Sequence, residues 1–186
     1  MMTTLLTRLD RLTDLSGRLL STLTLILTVI LFITVLMRYG LKLNDLQIGD
    51  WRLPRQAMEE SVMYLHCILF MLASAYTLRS DAHVRVDVFY RRFSPRTRAI
   101  IDLLGSLLFL LPMAGFILWS SLDYVEFSWR LKEKSQEAEG LPWLYLLKTL
   151  IPLMGGLLIW QGLIEILRNA VILAGRGTSS QQEGVR

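Results

Sequence analysis

Hydrophobic and charged positions along this chain fall into long separate blocks instead of alternating at the short periods of a soluble domain. Leu19 to Met37, Ser61 to Leu78 and Leu103 to Leu122 carry no Asp, Glu, Lys or Arg, and Gly140 to Ile164 carries only Lys148. A helix needs about 20 apolar residues to cross a bilayer. The pattern therefore predicts an all-α integral membrane protein with four transmembrane helices, at about 19–37, 61–78, 103–122 and 140–164, forming one membrane domain over residues 1–174. A lone lysine near a span end can snorkel to the interface, so Lys148 does not break the fourth.

The flanking segments have their own patterns. Leu5, Leu9, Leu12, Leu15 and Leu19 recur at intervals of three and four, with Asp10, Arg11, Asp14 and Arg18 on the other side. This predicts an N-terminal amphipathic interfacial helix leading into the first span. The first apolar run exceeds the roughly 7–15 residues of a signal-peptide core and lacks a small-residue cleavage site, so it reads as an uncleaved span. Between the first two spans, Trp51 and Pro54 predict a short interfacial turn or re-entrant segment, after which Glu59 and Glu60 begin the second span. The polar, Gly/Ser/Gln-rich residues 175–186 read as a disordered cytoplasmic tail.

Composition agrees: 53% of the 186 residues are hydrophobic, more than a soluble domain of this size needs. The net charge of +4 comes from basic residues beside the spans, where they attract anionic phospholipid headgroups; nucleic-acid binding is a poor reading. Orientation follows from the same residues. Arg8, Arg11 and Arg18, the six arginines between Tyr76 and Arg98, and Arg168, Arg176 and Arg186 place twelve basic residues on one side. Arg38, Lys42, Arg52, Arg55, Arg130, Lys132 and Lys134 place seven on the other. The richer side, with both termini, is expected to be cytoplasmic.

Residues that could carry chemistry are few. Cys67 is the one cysteine, which rules out a disulfide framework or a Cys-rich metal site within the chain. His66 and His83 are the two histidines, and 17 positions at a helical rise separate them by about 25 Å, too far for both to ligate one haem. Glu59 and Glu60 at a helix start, and Asp102 four residues after Arg98, are accounted for by the helix dipole and local pairing. No nucleotide-binding, Ser-hydrolase, zinc-protease or Cys-pair motif occurs. No catalytic, substrate-binding or metal residue is assigned, and no cofactor is expected. Pro112 and Gly115 in the third span, and Pro152 with Gly155 and Gly156 in the fourth, predict bends or close helix packing.

One ordered set of residues points further. Glu59-Glu60, Ala75-Tyr76, Ala82-His83-Val84-Arg85-Val86-Asp87, Gly140-Leu141-Pro142-Trp143, Lys148, Ile151-Pro152 and Gln161, on a four-span chain of this length, resemble the small membrane subunit of a tripartite ATP-independent periplasmic (TRAP) transporter. The resemblance implies a multi-pass protein of the bacterial inner membrane that scaffolds a large multi-span transport subunit. That subunit would drive uptake of an organic acid with an ion gradient, after a periplasmic solute-binding protein delivers it.

It further implies partner or lipid contacts at Glu59, Glu60, His83, Arg85, Asp87, Arg91, Arg92, Pro142, Trp143 and Lys148. Arg85, Arg91 and Arg92 would bind anionic phospholipid or the large subunit, and His83 and Asp87 would order their loop. The alternative is a stand-alone small membrane enzyme or a redox or haem-associated membrane subunit. It lacks the reactive residues it would need.

Overall fold

The computed structural model describes residues 22–79, residue 90 and residues 93–175. The expected N-terminal amphipathic helix, the His83–Asp87 loop and residues 176–186 lie outside them. Among the described residues, four helices are long and apolar enough to cross a membrane: α1 (Thr22–Leu41), α2 (Arg55–Arg79), α3 (Pro95–Leu131) and α4 (Leu144–Leu173). The all-α membrane class predicted from sequence is correct. The β structure among the described residues is a hairpin between α1 and α2, formed by β1 (Asp45–Ile48) and β2 (Trp51–Pro54).

That hairpin replaces the expected turn or re-entrant segment. Its strands pair antiparallel with Ile48 opposite Trp51 and Asp45 opposite Pro54, around the two-residue turn Gly49-Asp50. Gly49 has φ 61, and glycine at the first central position is the signature of a twist-compatible hairpin turn. Two backbone bonds hold the base of the hairpin to the helix ends: Leu43 N–H donates to Met37 O at 2.9 Å, and Arg55 N–H to Asn44 O at 2.9 Å.

The helices outrun the apolar segments that announce them. α3 has 37 residues, about 55 Å at helical rise, against a hydrocarbon thickness of about 30 Å, so it projects well past the apolar layer. It is continuous through Pro112 because residues Ser106–Leu110 widen into a π-helical turn, with Leu111 N–H donating to Ser106 O. A regular α-turn would drive the proline ring into the Leu108 carbonyl and lose a hydrogen bond; the wider turn just before it relieves the collision. At its other end, Ser94 caps the helix by accepting from Thr97 N–H, and Pro95 occupies the first turn, where a missing N–H costs nothing.

Helix α4 is the hub, packing along α3 and against α2. Gly155 permits the α3 contact: a Cβ there would sit 3.2 Å from Ala114 O and from Leu118 N. Gly162 makes room for a side chain instead, since a Cβ there would meet Leu110 Cδ2 at 2.8 Å. The two glycines therefore serve close helix packing, which in a membrane supplies what hydrophobicity cannot. Met37, Ala99, Ala114, Val125 and Ile164 are buried apolar positions, and Gln161 and Ser128 are fully buried polar ones. Gly175, with φ 73, closes α4.

Candidate functional site

The hairpin, the start of α2, the 132–143 segment and the start of α4 gather at one end of the bundle and bond to one another as a polar cap. Its organising residue is Glu60. One carboxylate oxygen accepts the Leu141 backbone N–H at 2.6 Å, and the other accepts the Ser135 hydroxyl. Ser135 N–H in turn donates to Leu141 O at 3.2 Å, folding 135–141 back on itself. Gly140 sits inside this loop, where a Cβ would overlap both Ser135 and the Glu60 carboxylate.

Sequence reasoning put Glu59 and Glu60 at the helix start, for dipole reasons. Helix α2 begins instead at Arg55, leaving its first turn without an acid. Glu59 therefore owes its place to ion pairs, with Arg55 four residues before it and with Arg38 of α1 at 3.3 Å. Gln56 donates to Glu137, and Arg52 bridges Asp45 at 2.5 Å and Glu139 at 3.2 Å. The hydrogen bond from Arg52 to Asp45, followed by the charge of Glu139, pushes the guanidinium further up from its already high value. Acids of the third loop thus face partners within this chain.

Lys148 reaches from the first turns of α4 to the cap. Its ammonium bonds Glu133 at 2.5 Å and lies 4.2 Å from the centre of the Tyr124 ring, leaving its side chain 15% exposed. Glu133 also accepts the Ser128 hydroxyl at 2.6 Å. These two bonds, Lys148 first and Ser128 second, hold the Glu133 carboxyl below the ordinary carboxylate range. The end of α3 sets this geometry: Glu133 N–H returns to Ser128 O at 3.1 Å and Lys132 N–H to Trp129 O at 3.2 Å, the paired bonds of a Schellman cap. Lys132 takes the left-handed conformation, φ 49, that such a cap demands. A glycine is usual there; here the ammonium lies 4.9 Å from the Trp129 ring and 5.1 Å from that of Tyr145, a cation–π contact that offsets the strain. Trp129 also donates to Thr149 Oγ1 at 2.8 Å, completing the clamp between α3 and α4.

The fourth span is expected from about 140, but the helix starts at Leu144: Pro142 precedes it and Trp143 is the N-cap residue, because the Glu60 and Ser135 bonds fix Leu141 outside the helix. Both Pro142 and Trp143 are exposed on the cap surface. Of the remaining expected site residues, His83, Arg85, Asp87, Arg91 and Arg92 lie outside the described residues. His66 is exposed on α2 and its ring lies 4.5 Å from that of Phe70.

At the far end of the bundle, Asp102 accepts the Tyr90 hydroxyl at 2.6 Å and Glu165 pairs with Arg168 at 2.7 Å. Along its flank α3 presents Phe109, Met113, Phe116, Trp119 and Phe127, all exposed, with Trp119 81% exposed. Steps of four, three and three carry Phe109, Met113, Phe116 and Trp119 along one flank of the helix, and Phe127, eleven positions after Phe116, continues the stripe. The cap can hold helix ends in fixed register, and the stripe offers a broad apolar contact.

The family model described as Tripartite ATP-independent periplasmic transporters, DctQ component, matches residues 27–171. Comparison with curated proteins and with solved structures returned no match.

Proposed function

The chain belongs to the DctQ-component family of tripartite ATP-independent periplasmic transporters, the small membrane subunit of such systems, and from that premise we propose that it acts as a scaffold for the large transport subunit. It is a multi-pass inner-membrane protein of a transporter family, not of an enzyme family. Systems of this family work with a large membrane subunit and a periplasmic binding protein. In our reading the large subunit carries out ion-gradient-driven uptake of an organic acid delivered by the binding protein, and this chain fixes that subunit in the bilayer.

The observation that carries the proposal is the aromatic stripe on α3, from Phe109 to Phe127, turned away from α4. Lipid tails are as apolar as leucine, so helices associate in a membrane through shape and close packing. A rigid row of bulky rings is suited to that. The polar cap keeps α2, α3 and α4 from shifting against one another, which a scaffold requires. Glu59, Glu60 and Lys148 contribute by holding the cap, and exposed Pro142 and Trp143 form its contact rim toward the large subunit or the docked binding protein. His83 and Asp87 order their loop, and Arg85, Arg91 and Arg92 meet anionic phospholipid or the large subunit. Both termini face the cytoplasm, as the distribution of basic residues favours.

Affinity purification from native membrane tests the assignment. The chain is expected to bring down a large multi-span subunit, and vesicles containing the chain alone are expected to show no solute uptake. Recovery of the isolated chain with a bound redox cofactor, or catalytic turnover by it, would overturn the reading in favour of a membrane enzyme or redox subunit.

A further inference from the structure

The β1–β2 hairpin is two-faced. Strand alternation and the observed register put Leu46, Ile48, Trp51 and Leu53 on one side, and Asp45, Gln47, Arg52 and Pro54 on the other. The polar side is engaged: Arg52 bonds Asp45 on its own face and reaches Glu139 of the cap. The apolar side is open, with Ile48 59% and Trp51 79% exposed. A two-stranded hairpin is at best marginally stable in water, and one that exposes its apolar face to water is less so.

We propose that this hairpin is a membrane-surface anchor whose Leu46/Ile48/Trp51/Leu53 face lies in the headgroup–acyl boundary of the phospholipid bilayer. Three observations select lipid as the occupant. The hairpin joins the ends of two spans, and the Leu43–Met37 and Arg55–Asn44 backbone bonds hold its base at that depth. The exposed apolar surface of α1, through Phe32, Leu36, Tyr39 and Leu41, continues into Leu43 and the hairpin face. The polar face is tied by Arg52 to the cap, so the opposite face turns toward the bilayer. An indole at this depth satisfies both phases, ring in the acyl region and N–H among headgroups, and exposed Lys42 beside the base suits anionic headgroups. The inference depends on the membrane placement of α1 and α2 and not on the transport role.

Nitroxide accessibility in nanodiscs of phosphatidylethanolamine and phosphatidylglycerol tests it, using the full chain with Cys67→Ser and a single label at Ile48→Cys or Gln47→Cys. The Ile48 label is expected to favour membrane-dissolved oxygen over a water-soluble nickel chelate by a ratio several-fold higher than the Gln47 label. Equal chelate access at both sites would place the hairpin in water and overturn the proposal. So would shielding of the Ile48 label from both reagents, alone or with the large subunit bound, since a protein would then cover the face. Trp51→Phe preserves the backbone and provides a label-free measurement. It is expected to remove tryptophan emission that shallowly brominated lipid quenches and deeply brominated lipid does not; unchanged quenching would equally overturn the proposal.

Discussion

Glu60 Oε2 accepts the Leu141 backbone N–H at 2.6 Å across 81 positions of chain, and its other oxygen holds Ser135. One carboxylate on α2 therefore determines where the 132–143 segment runs and where α4 begins. Hydrogen bonds to a charged acceptor contribute about 1.5–3 kcal/mol each, and an orphaned donor adds its own desolvation cost. Glu60→Ala is expected to lower the thermal midpoint of the detergent-solubilised protein and speed protease cleavage within 132–143. Glu60→Gln keeps an acceptor for one donor and should show a smaller loss. Equal melting of all three proteins would refute this role.

Glycine positions provide a paired test of close approach. Gly140→Ala forces a methyl into Ser135 and the Glu60 carboxylate, whereas Gly156→Ala meets no atom within 4 Å. The first should destabilise by about 1–3 kcal/mol through overpacking, and the second should be neutral or slightly stabilising, since alanine is the better helix former. Gly155→Ala lies between them, because its methyl would be 3.2 Å from rigid backbone of α3. Thermal midpoints ranked Gly156→Ala, Gly155→Ala, Gly140→Ala from highest to lowest would bear this out.

The four spans were legible because a soluble helix needs a hydrated face, and a run as long as Leu103 to Leu122 without one charge leaves none. Partners of the third-loop acids were not, since Gln56 and Glu137 are 81 positions apart and no periodicity links them. The hairpin has a sequence signal, since Leu46 and Ile48, then Trp51 and Leu53, alternate on either side of Gly49-Asp50, but with four residues per strand it is weak beside the long apolar runs that flank it. The place of Lys148 near a span end was legible and its partners were not, because Tyr124 and Glu133 lie on another helix and just beyond it, at no periodic spacing from the lysine.

The Glu133 carboxyl is held below the ordinary carboxylate range, so the folded state favours its ionised form more than the unfolded chain does. A group shifted this way contributes its full stability above the unfolded value, about 4.3, and loses it as pH falls through the lower folded value. The difference in thermal midpoint between the native chain and Glu133→Gln should thus be flat from about pH 8 to pH 5 and shrink below that. In a Lys148→Met background the main cause of the shift is gone, and the same difference should lose most of its pH dependence. Persistence of the full acid limb without Lys148 would show that another group sets it.

The α3 stripe separates a scaffold from a span that merely faces lipid. Phe116 is 66% and Trp119 81% exposed, so replacing both with alanine opens no cavity within the chain. Against lipid the change exchanges one apolar surface for another, whereas against a packed partner it forfeits shape-matched contacts that bilayer solvation cannot restore. The Phe116→Ala/Trp119→Ala chain is therefore expected to insert and melt like the native one and yet to recover the large subunit several-fold less well from native membrane. A matching pair on the opposite flank, Leu163→Ala and Leu167→Ala on α4, both exposed, is the control for general loss of apolar bulk and should retain recovery. If recovery is unchanged when the aromatic pair is removed, the stripe faces lipid and the scaffold must hold its partner elsewhere.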